Sequence, residues 1–230
     1  GPAWETAAIL AAAADRALDI RWVLLPHSHS DHANGVAAVV EATGATVFVH
    51  ESEANGLRDL FSGTVEVAGP ERTLPLGEVG VRALYTPGHS AGSLSFLAGG
   101  RLFAGDTLHV GGMGRPGPDR DAVEALWESA RLLRALPPET IVHPGHDEGP
   151  TPSANLGDEL RRGPALSAES YAEFVEALER FHGYYGNDFL GECPTGSGCL
   201  MPLRDVANEV SVRLTRLFLC DAGGHRPVYG

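Results

Sequence analysis

The residues best equipped for chemistry fall in four short segments. The first is His27-Ser28-His29-Ser30-Asp31-His32, directly after the apolar run Ile20–Leu25. It packs three imidazoles and a carboxylate into six residues. His89 follows in Thr86-Pro87-Gly88-His89-Ser90, Asp106 in Ala104-Gly105-Asp106-Thr107-Leu108, and His146 in His143-Pro144-Gly145-His146-Asp147. Each sits in a turn that follows an apolar run. Imidazole nitrogen and carboxylate oxygen are ligands that suit zinc, iron and manganese alike. The set supplies enough donors for one or two metal ions, and therefore for an enzyme.

In this order, HxHxDH, TPGHS, GDTL and PGHD resemble the metallo-β-lactamase superfamily, and within it the glyoxalase II and persulfide dioxygenase branch. The resemblance runs from about Gly1 to Arg180. It implies an α/β protein, the αββα sandwich, in which His27, His29 and His89 hold one metal. Asp31, His32 and His146 hold a second, and Asp106 bridges the two. Two divalent ions are implied, zinc first, with iron or manganese as alternatives. Such a pair, about 3.5–4 Å apart, can share a water and deprotonate it near neutral pH. The bridging hydroxide would attack the carbonyl of a thioester or related ester. Asp31, given a second role in orienting that hydroxide, and Asp106 are the catalytic candidates.

The same resemblance leaves other activities open. A mononuclear iron persulfide dioxygenase would use only His27, His89 and Asp106, the two-histidine, one-carboxylate arrangement. Such dioxygenases keep the other motif residues too. A lactonase or another hydrolase of the superfamily is a further alternative, while the intact ligand set argues against a non-catalytic metal-binding scaffold. The segment after His146 (Thr151-Pro152-Ser153, Glu159-Leu160-Arg161-Arg162, Pro164-Ala165-Leu166, Glu173-Phe174-Val175) resembles the tail of persulfide dioxygenases and of many glyoxalase-II-like hydrolases. It does not resemble the longer helical domain of glyoxalase II.

Candidates for substrate contact are fewer. Val110-Gly111-Gly112-Met113-Gly114-Arg115 resembles a segment shared across the branch, and Arg115 either meets a substrate carboxylate or fastens the glycine-rich loop. His109 stands where relatives usually carry phenylalanine and is a candidate for the substrate cleft. Tyr184 and Tyr185, with Phe189, are candidates for a pocket lining. His50, His182 and His225 read as surface or packing residues, and His143 as support for its loop.

These loops need a scaffold. Hydrophobic spacing predicts helices over Trp4–Leu18, Gly35–Thr43, Glu51–Phe61 and Ala122–Leu136, the last capped by Asp121 and stopped by Pro137-Pro138. Strands are expected at Ile20–Leu25, Thr46–Val49, Val79–Thr86, Ser93–Leu97, Arg101–Ala104 and Thr140–Val142. Strands and helices should alternate up to Pro144, and the tail should be helical. There, Ser170-Tyr171-Ala172-Glu173 has the pattern of a capping box, and Leu203–Leu219 reads as a last amphipathic helix. Relatives usually open with further strands ending in an Asp-x-Gly turn, so the first strands are expected to be missing here or to be supplied by another segment. The expected division is a catalytic domain at 1–150 and a helical extension at 151–230 packed on it.

A length of 230 residues suits one large domain, or a domain with an appendage. The net charge of −13 argues against nucleic acid and anionic membrane partners, because phosphates select basic faces. The expected partner is a small-molecule substrate, with a second copy of the chain left open. The three cysteines, Cys193, Cys199 and Cys220, form no disulfide framework. They read as free thiols of a reducing, cytoplasmic setting, with pairing of Cys193 and Cys199 across Pro194–Gly198 as the alternative.

Overall fold

Strands whose side chains alternate between two buried layers organise this chain. A computed structural model describes residues 1–58, 61–68, 71–182 and 220–221. The first half contains α1 (Thr6–Asp15), β1 (Leu18–Asp19), β2 (Trp22–Leu24), α2 (Ser30–Ala33), α3 (Val36–Thr43), β3 (Thr46–His50), α4 (Glu51–Arg58) and β4 (Val65–Ala68). Then come β5 (Glu71–Leu76), β6 (Val79–Tyr85), β7 (Leu94–Ala98), β8 (Arg101–Gly105), β9 (Leu108–His109), β10 (Gly112–Met113) and α5 (Ala122–Arg134). The remainder is β11 (Ile141–Pro144), β12 (Ala154–Asn155), α6 (Leu156–Arg162), α7 (Pro164–Ser167), α8 (Tyr171–His182) and β13 (Cys220–Asp221), the last paired with β1.

Two main sheets result. Strands β2, β3 and β4 lie side by side and parallel, which requires the crossovers supplied by α2–α3 and α4. The second sheet has the order β12-β11-β8-β7-β6-β5. Strand β7 runs antiparallel to both β6 and β8, and β11 runs parallel to β8. Strands β6, β8 and β11 therefore point the same way, and their C-terminal ends share one edge. His89, Asp106 and His146 follow those three ends.

Alternation along the strands builds the layers, because successive side chains point to opposite faces. Leu24 and Phe48 face the second sheet, in a core with Leu74, Val81, Leu94, Phe96 and Phe103. Their neighbours Val23, Leu25, Val47 and Val49 face α1, α3 and α4 through Ile9, Val36, Val39 and Leu57. On the far side, Leu102, Ala104 and Val142 meet Leu126, Trp127 and Leu133 of α5. Leu156, Leu166, Phe174 and Leu178 from α6, α7 and α8 complete that core, so the tail shares it with the second sheet. Helix, sheet, sheet, helix is the sandwich expected from the sequence. No strand precedes Leu18 among the described residues.

Several expectations need correction. Strict alternation of strand and helix fails between Val65 and Met113, where seven strands follow one another without a helix. Two of them, β4 and β5, carry alternating patterns too short and polar to read in advance. The register of β5 against β6 places only Leu74 fully inside that hairpin strand. Helix α1 is shorter than its alanine-rich stretch and stops near Ala17, whose φ is 50°. Asp121 occupies the N-cap of α5, yet its side chain makes no capping hydrogen bond. The capping box does form in part. Ser170 Oγ accepts from the Glu173 N–H, while the Glu173 carboxylate reaches the Glu169 N–H rather than that of Ser170. No helix among the described residues is long and apolar enough to cross a membrane. Tyr184, Tyr185, Phe189, Cys193, Cys199, His225 and the expected helix Leu203–Leu219 lie outside the described residues.

Leu126 is fully buried and also touches the loop of His89, since a Cβ on Gly88 would lie 2.5 Å from the Leu126 Cβ. Leu126→Ala is expected to lower the unfolding free energy by about 2–5 kcal/mol. Urea denaturation in chelator measures it. A loss under about 1 kcal/mol would mean that α5 is not clamped to the sheet as described.

Candidate metal centre

The residue just before each of His27, His89, Asp106 and His146 is pinned by a backbone hydrogen bond. Before His27, the Pro26 carbonyl accepts from Leu94 N–H at 2.8 Å. Before Asp106, the Gly105 carbonyl accepts from Gly145 N–H, the residue before His146, also at 2.8 Å. The Gly88 carbonyl accepts from Gly117 N–H at 2.7 Å. Gly105 turns with φ 53°, a left-handed conformation that glycine adopts without a steric penalty. A side chain on Gly145 would run into Asp106 Oδ1. These two glycines let the Asp106 and His146 loops close on each other.

The closure brings all seven predicted ligands together. Asp106 Oδ2 lies 3.8 Å from His27 Nε2, 3.5 Å from His89 Nε2, 3.3 Å from His32 Nε2 and 3.2 Å from His146 Nε2. On one side, His29 Nδ1 and His89 Nε2 are 3.1 Å apart. On the other, His32 Nε2 and His146 Nε2 are 3.1 Å apart, and Asp31 Oδ2 is 3.2 Å from each. Two donors bound to one zinc at 2.0–2.1 Å in a tetrahedron are separated by roughly 3.3 Å. The observed spacings are of that size. His27, His29 and His89 form one group, Asp31, His32 and His146 another, and Asp106 is in reach of both.

Burial and protonation distinguish an inner from an outer rim. His27, His32 and Asp106 are buried, whereas His29 is exposed and Asp31, His89 and His146 are partly open. Burial holds the His27 imidazole neutral down to about 2, helped by the nearby His32. Neither of its ring nitrogens has a hydrogen-bond partner, nor does Asp106 Oδ1. Unmet buried polar atoms cost about 1–3 kcal/mol each, so this pattern fits a cation rather than a finished hydrogen-bond network. His146 is pushed up to about 10 by its hydrogen bonds to Asp106 and Asp31. Burial opposes the charging of His32, but the same two carboxylates outweigh it and raise its pKa. Burial disfavours the Asp106 carboxylate, yet bonds from His146 and His32 hold it far below the usual range. Asp31 is likewise held low, by His146 first and then His32. Two N–H groups facing each other at 3.1 Å repel, so the His32–His146 pair is shaped for an ion in place of two protons.

The other predicted residues divide. The Arg115 side chain is exposed; its backbone carbonyl, not its guanidinium, meets the site, 2.9 Å from His89 Nδ1. With a proton on Nδ1, His89 presents a bare Nε2 to the centre, the usual way a second partner fixes a ligand tautomer. His109 stacks beside His146 at 6.1 Å and 16°, and its Nδ1 is buried without a partner. His143 stacks on Phe103 and accepts from Arg101, consistent with a supporting role, and burial lowers it to about 4. His50 stacks on Tyr85. One acidic residue went unnoticed in the sequence. Glu53 of α4 is 8% exposed and bonds to both Ser28 and Ser90, each beside a ligand histidine. The available signal was those two hydroxyls, which need an acceptor once their loops are buried.

Comparison with known proteins adds to this geometry. The metallo-β-lactamase superfamily model matches residues 1–146. A probable polyketide biosynthesis zinc-dependent hydrolase of Bacillus subtilis is 27% identical over 180 residues, covering 78% of this chain and 80% of that one. A hydroxyacylglutathione hydrolase of Rhodospirillum rubrum is 31% identical over 204 residues, covering 74% and 77%. The crystal structure of ETHE1 from Myxococcus xanthus superposes with a TM-score of 0.65 at 32% identity, over 75% of this chain and 74% of that one. A protein designated TTHA1623, solved in a di-iron-bound form, gives 0.60 at 32% identity, over 71% and 86%.

Metal uptake should displace protons. The metal-bound state needs neutral His146, while the metal-free state keeps it charged up to about 10. Zinc affinity should therefore climb with pH through neutrality, with about one proton released at His146 and a further contribution from His32. His27, neutral above about 2, should contribute none. Calorimetric titration in buffers of different ionisation enthalpy counts the protons; zero release at pH 7 would contradict this electrostatic picture.

Proposed function

The chain belongs to the metallo-β-lactamase superfamily, and from that premise we propose that it is a dinuclear metal-dependent hydrolase of a thioester or related ester. The observation that carries the reading is the single oxygen, Asp106 Oδ2, standing within 3.8 Å of histidines from both ligand groups. A one-metal centre built on His27, His89 and Asp106 would leave Asp31, His32 and His146 outside its ligand set. Yet their ligand atoms converge as closely as the first group. The names of the Bacillus and Rhodospirillum relatives support hydrolysis, zinc and a thioester, and the di-iron-bound neighbour supports a pair of ions.

When bound, the two ions would supply Lewis acidity, polarising a substrate carbonyl and acidifying a water for attack. The chain's own groups arrange the rest. Asp31, with its side chain 46% exposed, places a carboxylate oxygen on the open side, where it can accept a hydrogen bond from water. His89 is held by Arg115, so its ligand nitrogen keeps a fixed direction. No side-chain nucleophile is required: the Ser28 and Ser90 hydroxyls are both committed to Glu53. His109, beside His146 and partly open, is placed to donate to a substrate oxygen.

Metal per chain, together with turnover of acyl-thioesters, tests the proposal. About two ions and metal-dependent thioester cleavage are expected. One iron per chain with oxygen consumption on a persulfide would overturn it. Asp106→Ala should abolish turnover and release metal from both positions together, because it removes the oxygen common to both groups. Retention of two ions would refute the bridging role. His109→Phe should keep the metal content and raise KM, and unchanged kinetics would place His109 outside the substrate contacts.

A further inference from the structure

Glu53 is a buried carboxylate beside the centre that the ligand scheme leaves unused. It sits in the first turn of α4, directly after β3, and meets two loops at once. Glu53 Oε2 accepts from the Ser28 backbone N–H at 3.0 Å and from the Ser28 hydroxyl in a short contact. Oε1 accepts from the Ser90 hydroxyl at 2.7 Å and from the Gly92 N–H at 3.1 Å. Ser28 lies between His27 and His29, and Ser90 directly follows His89. The remaining contacts tighten this node: Ser93 Oγ is 2.9 Å from Ser90 Oγ and accepts from Ser90 N–H at 3.0 Å. A Cβ on Gly92 would lie within 3 Å of the Glu53 carboxylate, so only glycine leaves room for it.

We propose that Glu53 is a positioning residue for the first metal subsite alone. It straps the loop of His27 and His29 to the loop of His89, setting the 3.1 Å between His29 Nδ1 and His89 Nε2. The second group has separate anchors. Asp31 and His32 ride on α2, and His146 is tied to Asp106 through the Gly145–Gly105 hydrogen bond. Four donors converging on one ionised carboxylate make strong, charge-assisted bonds. Glutamine at this position keeps the shape but offers one acceptor oxygen instead of two, so one loop would be released. Partners that orient ligands typically contribute 10–100-fold to metal affinity.

The inference rests on reading the seven side chains as metal ligands, and the test separates the two. Zinc affinity is measured by chelator competition in His146→Ala, which keeps the first group, and in His89→Ala, which keeps the second. Each is compared with and without Glu53→Gln. The expected result is a loss of about 10–100-fold in the His146→Ala background, and a change within about twofold in the His89→Ala background. A purely structural role would weaken both alike. Equal losses, or none in the His146→Ala background, overturn the proposal. If Glu53→Gln does not fold, Ser90→Ala carries the same comparison, because it removes one strap without burying a new polar group. A wild-type chain that binds no zinc would instead sink the ligand assignment itself, and the strap with it.

Discussion

Everything in this fold is subordinate to holding four imidazole nitrogens around one buried carboxylate oxygen. Without a cation the arrangement is unfavourable. Two histidines are desolvated, ring nitrogens face each other at 3.1 Å, and His27 has no hydrogen-bond partner at all. In the metal-free state the carboxylates partly compensate by keeping protons on His32 and His146. Such a cluster cannot assemble from local preferences. It has to be imposed by rigid elements that meet at one place.

The two sheets provide that rigidity in different ways. Four of the seven side chains come from one short segment that follows β2 and runs into α2. Sequence proximity alone brings His27, His29, Asp31 and His32 near one another. The second sheet delivers single ligands from three strand ends, and it can do so because β7 reverses direction between β6 and β8. An odd number of reversals would have sent Asp106 to the opposite edge. The backbone hydrogen bonds Leu94–Pro26 and Gly145–Gly105 then stitch the edge together at the residues just before the ligands. Backbone bonds suit this task, since they do not depend on a rotamer.

What was legible in the sequence follows from this division. Ligand identities could be read because histidine and aspartate in such turns have few other uses, and the core strands because their apolar runs are long. The polar strands β4 and β5 were not legible: their burial comes from register against neighbours, not from composition. Asp121 shows the opposite error, a residue with the right type for a cap whose side chain is not recruited. Glu53 was invisible because its partners are 25 and 37 residues away. Nothing in the sequence of a polar helix says which of its acids will be pulled inward. Arg115 was noticed for its guanidinium, whereas its carbonyl is what touches the centre, a contact no side-chain reasoning can anticipate.

The tail gives the centre a second kind of support. Glu159 of α6 is 2% exposed, and its carboxylate accepts from the Gly111 N–H at 2.6 Å. Gly111 sits in the turn between β9 and β10, two residues after His109. The Phe181 ring of α8 packs over Gly112 so closely that a Cβ there would lie 2.7 Å away. The sheet edge therefore fixes the ligands, while α6 and α8 fix the turn that presents His109 beside them. Under the proposed hydrolysis, bond breaking would depend on the first of these supports. Substrate contact through His109 would depend on the second, which is built from the part of the chain that follows the superfamily match at residue 146. On that reading, a change in the tail would alter which molecule is accepted while the seven clustered side chains stay where the strands put them.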